Sequence, residues 1–335
     1  MKQTTALLRR TMRHCALGLF TAGLLLFAAL GNSHAAAVLS SGAMTDGFAL
    51  STFVSEIPNN GVVGPVGLVN TTGGKIMLSG YSSGEVKVFA DTDGQVWSGG
   101  VAGLTFYGGS NAAGLATVGG KFYMALQGSS KVVEVDSAGT YIKDIFTSGG
   151  ALTGIVGNPF TGHLYASNIF GTIFDVDPVA MTATTFVAAD ADGVSLSSDG
   201  KVLYAAALFT GHILGFDTTT KAVVFDSGFI SGGVDGTALG SGSLAGNLYV
   251  NTNDGHLIEV DLISLAQSII VEGGSRGDLV TVDSNNGTLL FTQTDRVLRL
   301  TAPAGGGFGN PMPEPSSLAL LGLGLVALRM IRRTS

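Results

Sequence analysis

The chain has 335 residues, 45% of them hydrophobic and only 12% charged, with 51 glycines, 8 prolines and a single cysteine. That balance excludes a disordered chain, and the length admits either two ordinary domains or one large all-β barrel or propeller. Seven of the 17 Lys and Arg residues lie in residues 1–35 or 329–335, which leaves 10 against 23 acids, a net −13, between 36 and 313; such a body repels nucleic acid and anionic lipid, so no nucleic-acid partner is expected.

The chain opens as a secretory signal. Lys2, Arg9, Arg10 and Arg13 precede an apolar run from Ala16 to Leu30, and small residues follow at Ser33-His34-Ala35 and Ala35-Ala36-Ala37. A basic, then apolar, then small-x-small order predicts a signal peptide over 1–37 with cleavage after Ala35 or Ala37. Cys15 lies ahead of the apolar run, so cleavage removes it, and the exported body then has no disulfide, thiol chemistry or Cys-based zinc site. Residues 38–47 read as a linker.

Residues 48–301 read as a repeat. One apolar strand recurs six times, about every 40 residues: Lys75-Ile-Met-Leu-Ser79, Lys121-Phe-Tyr-Met-Ala125, His163-Leu-Tyr-Ala-Ser167, Lys201-Val-Leu-Tyr-Ala205, Asn247-Leu-Tyr-Val-Asn251 and Thr288-Leu-Leu-Phe-Thr292. A turn and a second strand follow each copy, as in Lys131-Val-Val-Glu-Val-Asp136. A small-residue strand precedes each, starting at Gly67-Leu68, Gly114-Leu115, Gly154-Ile155, Gly193-Val194, Gly236-Thr237 and Asp278-Leu279. Glycine there suits a strand crowded against its neighbours at a narrow axis. Further strands such as Tyr141-Ile-Lys-Asp-Ile-Phe146 and Ser268-Ile-Ile-Val271 complete four per unit.

Four strands in some 40 residues make a β-propeller blade, so the fold class expected is all-β, a six-bladed propeller; a pair of stacked sheets is the alternative. The second and third strands read as alternating polar and apolar, the pattern of a half-buried sheet. The sixth unit lacks an outer strand, and Phe48-Ala-Leu-Ser-Thr-Phe-Val54 has no unit of its own. It is therefore expected to pair beside Val297 to Leu300 and close the ring. In repeat style this region resembles the six-bladed NHL and SMP-30/gluconolactonase propellers.

Several residues invite chemistry. Asp136, Asp177, Asp217 and Asp261 end the third strand of consecutive units, and a carboxylate repeated in this way serves the turn that follows. Asp91-Thr-Asp93-Gly94, Asp190-Ala-Asp192-Gly193 and Asn251-Thr-Asn253-Asp254-Gly255 are fragments of calcium loops without the full ligand series. His212 and His256 hold equivalent places in adjacent units, near the loops that carry Asp190, Asp192, Asp235, Arg276 and Asp278. The candidate axial ligand or metal set is thus Asp190, Asp192, His212, Asp235, His256 and Asp278, with a divalent ion such as calcium the only cofactor in view. The lactonase-type members of the similar families hold a divalent metal through a Glu, Asn and Asp set, which does not map here residue by residue.

Residues 302–312 read as a Gly/Pro linker. Pro313-Glu314-Pro315, an apolar run from Leu318 to Leu328 and a basic end at Arg329, Arg332 and Arg333 close the chain. Eleven apolar residues make roughly 17 Å of helix, short for a bilayer core of about 30 Å. The arginines would keep the end cytoplasmic. These 23 residues resemble the PEP-CTERM sorting signal. The resemblance implies export, a transient inner-membrane anchor, processing by an exosortase, and release to the cell surface or matrix.

The function expected is therefore an exported, surface-sorted protein. Its partners would be the secretion machinery, an exosortase, and an exopolysaccharide or extracellular protein bound in a biofilm setting. The alternative is an extracellular metal-dependent hydrolase or lyase of the propeller type; enzyme status stays open, with binding favoured.

Overall fold

The computed structural model describes residues 36–309. Residues 1–35 of the signal peptide expected over 1–37, and the sorting segment 313–335, lie outside the described residues. Between them stand six antiparallel sheets of four core strands each, a six-bladed propeller.

Blade one runs Pro65–Thr71, Lys75–Gly80, Val86–Ala90 and Val101–Ala102; blade two runs Ala112–Val118, Lys121–Leu126, Lys131–Val135 and Tyr141–Thr147. Blade three comprises Leu152–Gly157, Leu164–Asn168, Thr172–Asp177 and Thr182–Val187. Blade four comprises Val194–Leu196, Val202–Ala207, His212–Asp217 and Val223–Asp226. Blade five has Val234–Gly242, Asn247–Thr252, Leu257–Asp261 and Gln267–Glu272. Blade six has Val280–Asp283, Thr288–Gln293 and Arg296–Thr301, and takes its fourth strand, Ala49–Ser55, from the other end of the chain. In each blade the strands are called a to d from the axis outward.

The six strand-a to strand-b registers repeat one another: Leu68 faces Leu78, Leu115 faces Met124, Ile155 faces Ala166, Val194 faces Ala205, Thr237 faces Val250, and Val280 faces Phe291. Just ahead of that pair stand Gly67, Gly114, Gly154, Gly193, Gly236 and Leu279. The first five are glycine because the next blade's backbone is there. A Cβ on Gly67 would lie 2.4 Å from the Ala113 carbonyl oxygen, one on Gly193 2.5 Å from that of Asp235, and one on Gly236 2.5 Å from the Val280 nitrogen. The register also corrects the alignment of the sixth unit: Leu279, and not Asp278, stands at the glycine position.

The blades bury both faces. Six apolar clusters each straddle one blade junction, for example Val69, Met77 and Val86 of blade one against Phe122, Met124 and Val133 of blade two. The half-buried alternation expected of strand b is therefore not found. Lys75–Gly80 and Lys121–Leu126 are buried after their first residue, and Thr288–Gln293 throughout, as strands covered on both sides must be. The d strands at the rim are exposed, as Tyr141–Thr147 shows.

Ring closure follows the sequence expectation, with Ala49 opposite Thr301, Leu50 opposite Leu300 and Val54 opposite Val297. Gln95–Val96 adds a short parallel pairing outside it. Arg299, whose side chain is 7% exposed, locks the junction of blades six and one. Its guanidinium donates to Asp93 at 2.7 Å, to Asp283 at 2.7 Å and to Asp91, and it lies 5.0 Å from the Phe53 ring centre. Burial pushes the Asp283 carboxyl up, but the donors around it, Arg299 foremost, outweigh burial and hold it below the usual range.

The segments read as linkers are partly built into the disc. Val38–Leu39 pairs on the outer edge of blade five, Ser41–Asp46 forms a short helix capped by Ser40, and Gly306–Phe308 pairs with the end of the blade-five inner strand. Phe308 buries its ring 4.9 Å from that of Tyr249.

Gly193→Ala should cost about 1–3 kcal/mol, because backbone must move to admit one methyl group. Gly149→Ala, with nothing within 4 Å of its added carbon, should stay within about 0.5 kcal/mol of wild type. Urea unfolding of the two variants measures the difference. Arg299→Met should cost about 3–5 kcal/mol by leaving Asp283 and Asp91 without their cation, and Arg299→Lys should recover part of that loss in the same assay.

Candidate functional site

Each inner strand begins on the face that carries the b–c and d–a loops. On that face the residue before the glycine position points to the axis in every blade. Those residues are Val66, Ala113, Thr153, Asp192, Asp235 and Asp278, and all six line one cavity of about 240 Å³. In blades one, two, three and five the strand-a register breaks at this point, between Pro65 and Gly67, Ala112 and Leu115, Leu152 and Ile155, and Val234 and Thr237. A bulge turns a side chain out of the pleat, and here it turns one toward the axis. The wall therefore grades round the ring from apolar through hydroxyl to acid. A second tier comes from the first residue of four b–c loops: Tyr81, Gln127, Ile169 and Leu208.

The acidic side is rigidly held. Asp192 donates its N–H to the Ala206 carbonyl at 3.0 Å. The Asp278 and Leu279 N–H groups both donate to Thr292 Oγ1, at 3.0 and 2.8 Å, and Ser275 N–H donates to Gln293 Oε1 at 2.5 Å. These bonds fix the loop that presents Arg276. Its Nε and Nη2 donate to Asp278 Oδ1 at 2.9 and 2.7 Å, and Nη2 stands 3.5 Å from Asp235 Oδ2.

Three carboxylates thus share one guanidinium. Burial, then the Asp278 charge, pushes the Asp192 carboxyl up to about 6 against the pull of Arg276. Burial and the charges of Asp192 and Asp278 push Asp235 well above the usual range, and the Asp192 and Asp235 side chains are hydrogen-bonded to each other. Burial raises Asp278 as well, but two N–H groups on one oxygen make it the member that most readily keeps its charge. Asp235 Oδ2 and Asp278 Oδ2 are buried without a hydrogen-bond partner.

The other candidate residues are not in this cluster. Asp190 Oδ2 accepts the Phe209 N–H at 3.3 Å. His212 Nδ1 pairs with Asp226 at 2.7 Å and His256 Nδ1 with Asp254 at 2.8 Å, each within its own blade. Asp136, Asp177, Asp217 and Asp261 each accept two backbone N–H groups of the following turn, as expected of turn residues. Ala37 rests against the core between blades five and six. Ala35, Pro313, Glu314, Pro315, Arg329, Arg332 and Arg333 lie outside the described residues. Reading motif by motif missed Val66, Ala113, Thr153, Tyr81 and Gln127; the signal for the first three was their fixed place before each repeat's glycine.

A divalent metal does not fit this site. Among the described residues no group of three or more His, Cys, Asp or Glu side chains is arranged to hold a metal ion, and the Arg276 cation already takes Asp278. At the other end of the channel a wider cavity of about 640 Å³ has walls such as Asn70, Thr117, Ser195, Thr237 and Ser241, and carries no charged side chain. Among the described residues no helix is long and apolar enough to cross a membrane.

The sequence matches the model of the PEP-CTERM protein-sorting motif over residues 313–333. No curated protein matches it. Among solved structures the propeller is similar to a gluconolactonase from Xanthomonas campestris, at 13% identity and a TM-score of 0.64 over 80% of this chain and 95% of that one. It is also similar to a chain of a nidogen/laminin complex, at 12% identity and a TM-score of 0.55 over 67% and 93%. A virginiamycin B lyase from Staphylococcus aureus follows, at 13% identity and a TM-score of 0.53 over 76% and 99%. At these identities the likeness is one of fold.

The raised Asp192 sets a pH test. Between pH 4 and 6 the folded chain keeps a proton that the unfolded chain releases, so its stability falls as pH rises through that window. Asp192→Asn cannot ionise. It should match wild type near pH 4 and exceed it by about 1–3 kcal/mol at pH 7.5, read from urea unfolding at both values. Parallel pH profiles would show that this carboxyl is not held neutral.

Proposed function

We propose that this chain is an exported protein carried to the cell surface by its C-terminal signal, where the propeller binds an extracellular polymer or protein in an exopolysaccharide matrix. The observation that carries the reading is the sorting motif at 313–333, set directly behind a propeller that ends at Phe308. The apolar run behind Pro313-Glu314-Pro315 is short for a permanent anchor, and a helix that holds only marginally suits a tail that an exosortase processes. The rigid disc then remains as a binding body. Its axial pocket joins charged, hydroxyl and apolar walls, which suits recognition.

A propeller hydrolase or lyase is the second reading, supported by the shared fold of the gluconolactonase and the lyase. The metal-dependent form of that reading is weakened by a carboxylate cluster that closes on Arg276 instead of on a common point.

The sorting step is tested by fractionating cells that express wild type or Glu314→Ala, with mass analysis of the C-terminus. Wild type should lose Arg332 and Arg333 and leave the inner membrane, whereas Glu314→Ala should keep both and stay there. If both proteins keep the two arginines and remain in the membrane, the sorting role is wrong.

A further inference from the structure

We propose that the axial pocket takes the ammonium group of an amino sugar, a hexosamine unit with a free rather than acetylated amine in an extracellular polysaccharide. The inference rests on the binding function proposed above and names its ligand.

Three independent features of the pocket lead there. First, Asp235 and Asp278 are 4% and 8% exposed, line the cavity, and each keep one buried oxygen with no hydrogen-bond partner. A buried acceptor left unmet is costly, and the missing partner must be a donor. Arg276 pairs with Asp235 and Asp278 and lies within the field of Asp192, one positive charge against three carboxyl groups, so the donor that completes the set is a cation. An ammonium suits carboxylates that are not arranged to hold a metal ion: it needs hydrogen bonds of about 2.8 Å to them, where calcium needs its oxygens within about 2.3–2.6 Å of one point.

Second, the opposite wall is built for a ring and not for a bare chain. Tyr81 donates its hydroxyl to Gln127 Oε1 at 2.6 Å and accepts from Asn111 at 3.1 Å, so a polar network faces the acids across the cavity. A hexosamine offers hydroxyls to that wall while its amine faces the acids. A lysine side chain offers only methylenes there, so the amine of a protein is the poorer fit. Ile169 and Leu208 line the cavity, and the residues after them, Phe170 and Phe209, stand 75% and 66% exposed on the same face. Exposed rings beside a polar pocket can stack on the apolar faces of neighbouring sugars.

Third, the body's net charge of −13 attracts a polycation from a distance, as a free-amine polysaccharide is.

Binding exchanges one cation for another. Burial raises both carboxyls of the Asp192–Asp235 pair, so the arriving ammonium displaces a proton from it to solvent, and the sugar's nitrogen takes that proton's place among the oxygens. The groups facing this nitrogen are Asp192, Asp235, Asp278, Arg276 and, from the far wall, Tyr81.

The test is calorimetric titration of the full-length chain with a glucosamine trimer and its N-acetylated counterpart. The free-amine trimer should bind at least about tenfold tighter, with up to tenfold tighter binding at pH 6 than at pH 5 and proton release that tracks the buffer used. Asp235→Asn should weaken it on the order of tenfold to a hundredfold. The double variant Phe170→Ala, Phe209→Ala changes only exposed rings, keeps the fold, and should weaken it severalfold. Equal binding of the two trimers, or none of either, overturns the assignment. A lysine-rich peptide that binds as tightly as the sugar overturns it in favour of a protein partner. A chain sorted to the surface and retained in the matrix, yet blind to the free-amine trimer, removes this inference alone and leaves the proposed function standing.

Discussion

The structure depends on how closely its inner strands approach one another. At five of six junctions a glycine stands with the backbone of the next blade where its side chain would be, at 2.4 to 3.0 Å from the position of a Cβ. Contacts that short allow a single spacing between blades, and the spacing fixes the diameter of the ring. The hydroxyls and amides of strand b then stitch neighbours together: Ser79 donates to the Ala113 carbonyl at 3.0 Å, Ser167 to that of Asp192 at 3.1 Å, and Asn251 to that of Thr292 at 2.9 Å. At the sixth junction Leu279 replaces glycine, and Thr281 bonds to the Leu68 carbonyl at 3.0 Å.

The same constraint makes the site. In blades one, two, three and five the strand bulges where it presents that glycine, and in every blade the preceding residue lines the axial cavity. What the protein places at that position lines the cavity in every blade and varies round the ring, while the next position is glycine in five blades and Leu279 in the sixth. Valine, alanine, threonine and three aspartates occupy it. The acid side of the pocket is a cost to the fold, since two buried carboxylates, Asp235 and Asp278, share one guanidinium with half-buried Asp192 beside them. Arg299 shows the contrasting case, three carboxylates around one cation that joins blade six to blade one. One cluster closes the ring, and the other stays open to the cavity.

Much of this was legible in the sequence. The six copies of strand b, the glycines ahead of strand a and the orphan strand at Phe48 to Val54 carry the blade count and the closure, because a repeated unit leaves a repeated pattern. The turn role of Asp136, Asp177, Asp217 and Asp261 followed from their repetition. The errors have physical causes. Strand b reads as half-buried because its polar termini mimic alternation, whereas burial on both faces comes from neighbouring blades, which no single strand reports. By sequence Asp278 falls at the glycine position because its loop begins one residue differently, and only pairing of Val280 with Phe291 reveals the register. His212 and His256 hold equivalent places, yet each turns to a carboxylate of its own blade.

By itself, then, the sequence determined the architecture, the closing strand and the sorting motif at 313–333, since all three are local patterns or repeats of one. The tertiary structure alone decided which acids meet. Asp192, Asp235 and Asp278 lie about 43 residues apart, and they converge with Arg276 only because each blade advances the chain one sixth of the way round the ring and brings equivalent positions to a common axis. A charge cluster is a property of distances, and the distances are set by glycine against backbone at the centre of the disc.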